Sequence, residues 1–550
     1  MAQKPLLFNE TGLAINETLK SMKYNERSID ADYASQIEAG KIDQLFEKWW
    51  AEANDGNYTK TELLSRWFTL LKDDKLYGVK TYNFEDSQTS EGVLLEDSVD
   101  LGVCVPATEA SEGTDNFVKQ PAFWIKEINY EIDSNGEIEV KAVQGVDDDF
   151  SRDGHSGMVG VAQKSAFYLE YNDATYNILK YSTTRLSGFK PLPECVSPVD
   201  NSIRPFMVHA KYMGGIGSDG KPTSATGLAP MNYSYSHNSQ IAPWRTRGAN
   251  YSGMSMLDLK FREFMFRLKY AKKGNSGTME GCSSYYLSYR PAVAESNVTR
   301  VILTEANAAN LVVGSWLSVG TAERNANNVL PRVRIKAIKD VTIDGTAYKA
   351  VYLDTTTAIS PTTEWYVSTI PWGSGSCDNV KGVDGSPNLT NGKYPFIIQG
   401  LESQTGCWAV LADTIGVKTL TDNVMNIVAK MVRLARNIAT SVTANYYDGG
   451  EFEFDSTAAG WKYIQDFEEG VDALIPRAIG GAAGSSNGAK CGFYDPHNAG
   501  TFEWLAWAGL DYGGRCGLGA VHAGYGLGDT SWHLAAGAPA SAANRGEWTA

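Results

Sequence analysis

The apolar positions near the N-terminus repeat with the period of an α-helix. The first apolar stripe consists of Ile42, Leu45, Phe46 and Trp49. After a polar break, Thr59 and Glu62 have the spacing of a capping box. The second stripe consists of Leu63, Trp67 and Leu71. The pattern predicts an αα-hairpin within residues 1–76, whose stripes pack either on the rest of this chain or on another chain.

From residue 77 onward the pattern is that of strands. The segment 123–143 predicts two strands around Asn135-Gly136, a dipeptide typical of hairpin turns. RPFMVHAKY (204–212) predicts one further strand, and residues 297–370 predict several, with a second hairpin turn at Asp344-Gly345. The middle of the chain is therefore expected to be rich in β-structure.

The clearest helix is MSMLDLKFREFMFRLKYAKKG (254–274). Its apolar face consists of Leu257, Phe261, Phe264 and Leu268. Lys269, Lys272 and Lys273 lie near the end where the helix dipole favours cations, and Gly274 is placed to end the helix.

These elements predict a multidomain α+β chain, because 550 residues exceed what one compact core usually holds. The expected units are a helical segment at 1–76, a β-rich domain at 77–202, a domain formed by 203–295 plus 372–550, and a small β domain inserted at 296–371.

Composition and net charge exclude several classes of partner. Charged residues make up 21% of the chain and the net charge is −15, which argues against a nucleic-acid partner or an anionic membrane. The sequence has no apolar run long enough to span a bilayer and no signal-peptide pattern, so we expect synthesis in a cytoplasm without membrane insertion. The seven scattered cysteines are interpreted as buried free thiols.

No sequence motif assigns an enzymatic activity, and we expect a protein that is not an enzyme and has no cofactor. P-loop, dinucleotide-binding, HExxH and GxSxG patterns are all missing. The acidic run VDDDFSRDG (146–154) lacks EF-hand spacing and is interpreted as a solvated turn. His522 and His533, with Asp511 and Asp529 nearby, form no recognisable ligand framework, so no metal site is assigned. The sequence neither identifies nor excludes a pair of carboxylates for glycoside hydrolysis, since such a pair is defined by its distance in space.

Residues 504–548 fall into two classes. Gly, Leu, Trp and Cys positions form an evenly spaced framework, EWLAWxGLxxGxxCGLxxxxAxxxLxxTxWxL…NRGEW. Ten positions of mixed chemistry lie between them: Ala508, Asp511, Tyr512, Arg515, His522, Gly524, Tyr525, Asp529, Ser531 and His533.

This framework resembles the C-terminus of variable proteins from diversity-generating retroelements. In that family an error-prone reverse transcriptase turns AAY codons into NNY codons, and an NNY codon can encode every one of the ten interspersed residues. The upstream GWKYIQDFEEGVDALIPRAIGG (460–481) is similar to the same family, whereas Gly537-Ala538-Pro539 departs from its pattern. NYSYSHNSQIAPWR (232–245) and YAKKGNSGTMEGCSSYYLSYR (270–290) further resemble structural proteins of tailed phages.

The resemblance implies a C-type lectin-like fold whose ten variable positions form a ligand-binding face. It implies a virion protein, with the tail fibre or tail tip favoured, that binds a host-surface protein or glycan and contacts other virion proteins. A homo-oligomer, with a trimer favoured, would strengthen weak single sites by avidity. The alternative is a capsid-surface protein that binds glycans or mucus. A lectin-fold oxidase is a further alternative, which would need Cys491 and Cys516 as reactive thiols.

A face that tolerates replacement must contribute little to stability. The framework residues are therefore expected to be buried: Trp504, Trp507, Leu510, Leu518, Leu527 and Trp532. The ten variable positions are expected to be exposed, with Arg515 and the aromatic residues supplying most of the affinity.

Overall fold

The computed structural model describes residues 29–480, residues 488–538 and residue 545. The fold is mixed α+β and mostly β, with 36% strand and 14% helix. The first 28 residues of the predicted helical segment, together with Pro539, lie outside the described residues. Within the described part of the chain, no helix has both the length and the apolar character needed to cross a bilayer.

The predicted N-terminal helix pair is confirmed. Six helices lie wholly within the described residues: α1 (Ile42–Ala53), α2 (Lys60–Leu70), α3 (Ser98–Leu101), α4 (His237–Arg245), α5 (Met256–Tyr270) and α6 (Glu305–Ala308). Thr59 and Glu62 form the reciprocal capping box at the start of α2. The aromatic faces of α1 and α2 meet where Phe46 lies 5.3 Å from Trp67 and 5.4 Å from Trp124, between ring centroids. The helix pair therefore packs on its own chain, against the strands that follow.

Two antiparallel sheets follow the helix pair. The first has the order β2-β1-β7-β6-β8 and consists of β1 (Tyr77–Tyr82), β2 (Gly92–Glu96), β6 (Phe167–Asn172), β7 (Tyr176–Ser182) and β8 (Lys190–Pro191). The second has the order β4-β3-β5-β9 and consists of β3 (Ile125–Ile132), β4 (Ile138–Val143), β5 (Met158–Lys164) and β9 (Phe206–Ala210). The β3–β4 hairpin around Gly136 and the strand β9 were both predicted from the sequence.

Helix α5 is buried on all sides and forms the centre of the largest core. Ser255 caps its start and forms a capping box with Asp258. Its charged side chains are buried with partners: Glu170 Oε2 lies 2.8 Å from Lys260 Nζ, and Glu170 Oε1 lies 3.4 Å from the Arg267 guanidinium. Lys260, Arg267 and Lys269 each meet a carboxylate, whereas Arg262 donates to the backbone carbonyl of Asp258 at 2.9 Å, and these partners allow the polar face to be buried.

The predicted end of helix α5 at Gly274 is wrong. The helix ends at Ala271, which adopts the left-handed conformation with φ of 49°. Gly274 serves a different purpose, because a Cβ there would lie 1.9 Å from the carbonyl oxygen of Ala489. Glycine is needed at this position for close approach of two backbones.

Residues 288–370 form a six-stranded antiparallel sheet with its own core. Its order is β12-β17-β14-β15-β16-β13, and it consists of β12 (Ser288–Tyr289), β13 (Arg300–Leu303), β14 (Trp316–Gly320), β15 (Leu330–Ile343), β16 (Thr346–Leu353) and β17 (Tyr366–Ile370). The hairpin β15–β16 turns at Asp344 and Gly345, which both have positive φ, as a type I′ turn requires. The predicted turn is therefore confirmed.

The C-terminal part of the chain forms one large sheet that nearly closes on itself. Its nine strands are β20 (Trp408–Thr421), β21 (Val424–Met431), β22 (Tyr447–Asp455), β23 (Gly460–Phe467), β24 (Pro476–Ile479), β25 (Cys491–Asp495), β26 (Gly500–Trp507), β27 (Gly517–His522) and β28 (Leu534–Ala536). Their order is β22-β21-β20-β26-β27-β25-β23-β24, and β28 pairs in parallel with β20. Two short pairs complete the fold, β10 (Gly215–Ile216) with β11 (Pro222–Thr223), and β18 (Phe396–Ile398) with β19 (Leu401–Ser403).

The largest core joins residues from several of the predicted domains. Tyr168 on β6 lies 5.1 Å from Phe264 on α5, between ring centroids, and strands β20, β26 and β27 contribute to the same core. The predicted boundaries at 76, 202, 295 and 371 stay a prediction.

Candidate functional site

Strands β26 and β27 hold Trp504, Trp507 and Leu518 of the predicted framework, and Leu510 lies in the loop between the two strands. Trp504, Trp507 and Leu510 are completely buried, and Leu518 is 3% exposed. The parallel pairing of β28 with β20 fixes the end of the segment, and the Trp408 N–H donates to the carbonyl of His533 at 2.7 Å. These positions form a rigid base for the residues between them.

Leu527 and Trp532 are half-exposed, so the prediction that both are buried is wrong. Leu527 lies in a turn, and its backbone carbonyl accepts a hydrogen bond from the Asn238 N–H at 2.9 Å. This backbone contact, and not burial of the side chain, anchors the residue. Trp532 packs on the outer side of a small hydrophobic cluster to which Leu510 belongs. Its indole ring lies 5.8 Å from the ring of Tyr286, between centroids.

Ala508 and His522 are buried, so the prediction that all ten variable positions are exposed is wrong for these two. The backbone reverses at Trp507 and Ala508, with φ of 82° and 131°, and this reversal turns the Ala508 methyl group into the main core. Neither residue is glycine, so the reversal stores backbone strain.

His522 is buried because it ends strand β27 beneath the loop that follows. Its ring stacks on Tyr494 with centroids 4.3 Å apart, and its Nδ1 accepts the Gly524 N–H at 3.1 Å. Burial lowers the pKa of His522 to about 3. The ring is therefore neutral and acts as part of the framework.

The other eight positions are at least partly exposed and lie along the loops after β26 and β27. We call this set the C-terminal face: Asp511, Tyr512, Arg515, Gly524, Tyr525, Asp529, Ser531 and His533.

Aromatic contacts and hydrogen bonds connect the C-terminal face. Tyr512 packs edge-on against Trp408 at 5.3 Å. The Tyr525 hydroxyl lies 3.0 Å from His533 Nε2, and the Ser531 hydroxyl lies 3.2 Å from His533 Nδ1. Burial also lowers the pKa of His533, to about 4. The Tyr525–His533–Ser531 part of the face is therefore an uncharged, hydrogen-bonded group at physiological pH, and Asp511, Arg515 and Asp529 supply the charges of the face.

Four residues that the sequence analysis did not select adjoin this face. Trp461 lies 5.4 Å from the Tyr512 ring and 5.4 Å from the Arg515 guanidinium, and Tyr494 stacks on the buried His522. Trp461 alternates with Tyr463 along strand β23, which was a weak signal of an aromatic surface, whereas Tyr494 directly follows Phe493 in strand β25.

Arg324 lies within the predicted insertion at 296–371, whereas Tyr286 lies just before strand β12; neither residue had a sequence signal. Tyr286 is 45% exposed beside Trp532. The Arg324 guanidinium lies 3.5 Å from the Tyr286 ring centroid and donates to the carbonyls of Leu287 and Thr369. Tyr286 therefore borders the face beside the six-stranded sheet, and Arg324 holds Tyr286 in this position.

Among the described residues, no group of three or more His, Cys, Asp or Glu side chains could hold a metal ion. Burial raises the pKa of the Cys491 and Cys516 thiols, whereas a reactive thiol needs a lowered pKa. Cys516 instead donates to the Gly509 carbonyl at 3.6 Å.

One buried carboxylate lies below the loop of the face. Glu503 on β26 accepts the His237 N–H at 2.8 Å, at the start of helix α4, and burial raises its pKa to about 8. Glu503 is thus protonated at neutral pH, and it links helix α4 to the strand that supports Tyr525.

Neither the protein-family models nor the curated proteins include a match to this chain.

Proposed function

We propose that this chain is a phage-encoded receptor-binding protein whose C-terminal face binds a host-surface protein or glycan. In this proposal residues 203–295 plus 372–550 form a C-type lectin-like scaffold, and a retroelement diversifies the face. The observation that carries it is the separation of two classes of position. Eight interspersed positions are partly exposed, while most of the evenly spaced framework is buried.

This separation has an energetic consequence. Substitution of exposed residues usually changes stability by less than about 0.5 kcal/mol, whereas truncation of a buried Trp or Leu costs roughly 2–5 kcal/mol. Side chains such as Asp529 and Ser531 are free to vary under this rule. Substitution of Tyr512 or Tyr525 is expected to lower the stability somewhat more, because both rings pack on the framework.

The composition of the face suits protein or glycan recognition. Tyr, Trp and Arg dominate binding energy at interfaces, and Tyr512, Tyr525, Arg515 and the half-exposed Trp532 supply them here. We propose a virion location at the tail fibre or tail tip, contacts with other virion proteins, and a homotrimer that raises avidity.

A second candidate function is that of a capsid-surface protein that binds glycans or mucus. The aromatic character of the face favours it, because stacked rings such as Tyr494 and Trp461 are equally suited to sugars. Immunogold labelling of virions separates the two candidates. Label at the tail tip supports receptor binding, and label over the capsid supports the alternative.

The retroelement part of the proposal is tested in the encoding genome. We expect a near-repeat of codons 508–533 beside a reverse-transcriptase gene, differing almost only where the repeat has adenine. A genome that carries neither would refute this part.

A further inference from the structure

The nine-stranded sheet has a seam where its two end strands meet. Strands β22 and β24 lie at opposite ends of the strand order, and no ladder hydrogen bonds join them among the described residues. A cleft of about 540 Å³ opens along this seam. Its volume falls within the roughly 300–1,000 Å³ of small-molecule sites. We call it the seam cleft.

Three aromatic side chains line the seam cleft: Phe454, Trp461 and Tyr463. All three are half-exposed. The Phe454 ring is fixed by Phe452, stacked at 5.7 Å, and by Phe493, edge-on at 5.4 Å. Trp461 is held by Trp408, whose ring stacks on it at 6.1 Å. The Phe454 and Trp461 rings are therefore held in place by aromatic contacts, and Tyr463 lines the cleft beside them.

The cations of the seam cleft are already neutralised. Arg477 pairs with Asp466 at 2.7 Å, and the Lys462 ammonium lies 3.5 Å from Asp495. Both partner carboxylates are completely buried, so these ion pairs belong to the fold. Each of the two cations therefore already has a carboxylate partner within the fold.

The carboxylates on the rim of the seam cleft have few hydrogen-bond partners within the described residues. The exposed Asp455 carboxylate makes no hydrogen bond within the described residues, and Glu453 accepts only the amide of Asn426, at 3.1 Å. The Tyr463 hydroxyl also has no partner in that part of the chain. The rim of the cleft is thus anionic and rich in acceptors, which repels polyanions and suits ligands that carry many hydroxyl donors.

We propose that the seam cleft binds a neutral oligosaccharide. Sugar rings lie against Trp461 and Tyr463, and their hydroxyls donate to Asp455 and Glu453. The site is separate from the C-terminal face, although Trp461 borders both. It does not depend on the proposed receptor-binding function.

The test uses the full chain and isothermal titration calorimetry. The probes are maltohexaose, cellohexaose, N-acetylchitohexaose and mannohexaose, with a hexameric alginate as the anionic probe and the extended peptide (Thr-Val)₄ as the competing class. We expect saturable binding of at least one neutral sugar below about 10 mM, and none of alginate or peptide. Absence of binding by all four sugars up to that concentration, or binding of only alginate or the peptide, would overturn the proposal.

Variants locate the binding site. Tyr463→Ala is expected to weaken binding about tenfold, while Tyr463→Phe keeps it, because the ring supplies the stacking. Asp455→Asn is expected to weaken binding several-fold. The matched control is Tyr171→Ala, a 39% exposed tyrosine on β6. Unchanged affinity in Tyr463→Ala would overturn the assignment to the seam cleft.

One further variant distinguishes failure of the receptor-binding proposal from failure of the sugar-binding proposal. Tyr525→Ala changes the C-terminal face and leaves the residues of the seam cleft intact. It is expected to keep sugar binding at the seam and to lose binding of host cells. Loss of sugar binding in Tyr525→Ala with retention in Tyr463→Ala would move the sugar site to the C-terminal face and overturn this inference.

Discussion

Two histidines of the C-terminal segment make its stability depend on pH. His522 stacks on Tyr494, and His533 receives hydrogen-bonding contacts from Tyr525 and Ser531. Burial is the largest cause of the lowered pKa of each, which falls to about 3 for His522 and about 4 for His533. In the unfolded chain a histidine titrates near 6.5. The folded state therefore binds fewer protons than the unfolded state across the interval between these values.

The sign and size of the effect follow from this difference. The stabilisation is fully present above a pH of about 6.5 and is lost as the pH falls toward the folded pKa values. At about pH 5 each histidine lowers the free energy of unfolding by about 2 kcal/mol relative to about pH 7.5. Buried carboxylates such as Glu503 act in the opposite direction, because burial raises their pKa. The contribution of one histidine is therefore read from the difference between two proteins.

The measurement compares the wild type with His522→Phe in urea denaturation at about pH 7.5 and about pH 5. Phenylalanine keeps a ring against Tyr494 and removes the titrating group. Between the two pH values the variant should lose about 2 kcal/mol less than the wild type. His155→Phe, at an exposed histidine, is the matched control. Parallel pH profiles for the wild type and His522→Phe would refute the assignment of a buried, neutral His522.

Three further predictions concern the scaffold. Trp504→Ala should lower the free energy of unfolding by about 3–5 kcal/mol, because the ring is completely buried; a loss below about 1 kcal/mol in urea denaturation would contradict its framework role. Arg267→Ala should cost about 3–5 kcal/mol, because it removes one of the cations that compensate the buried Glu170 carboxylate, and a stable, unchanged variant would disprove that pairing. Thr59→Ala should cost about 1 kcal/mol through loss of the capping box with Glu62, while Thr59→Ser should leave the melting curve unchanged; equal curves for all three proteins would show that the cap is dispensable.

Local elements were readable from the sequence because their signals are local. The capping box at Thr59, the hairpin turn at Asp344 and the strand β9 each depend on a few adjacent residues, and the structure has all three. The predicted end of helix α5 was wrong because Ala271 adopts the left-handed conformation that favours glycine. Gly274 is instead required by the close approach of the Ala489 backbone, which is distant in sequence.

The candidate site was only partly readable. The framework spacing correctly indicated burial of Trp504 and Leu518, but codon class says nothing about which way a side chain points. Ala508 turns inward at a backbone reversal, and His522 is covered by its own loop. Tyr286 joined the face through a contact between residues 246 positions apart, the separation of Tyr286 and Trp532, which no local pattern encodes.

The central claim is that the C-terminal face binds a target while the framework supports the fold. The most direct test measures binding to intact host cells and the free energy of unfolding in the triple variant Arg515→Ala, Tyr525→Ala, Asp529→Ala. The account predicts at least about a 100-fold loss of binding, with less than about 2 kcal/mol lost from the free energy of unfolding. Unchanged binding, or collapse of the fold, would contradict it.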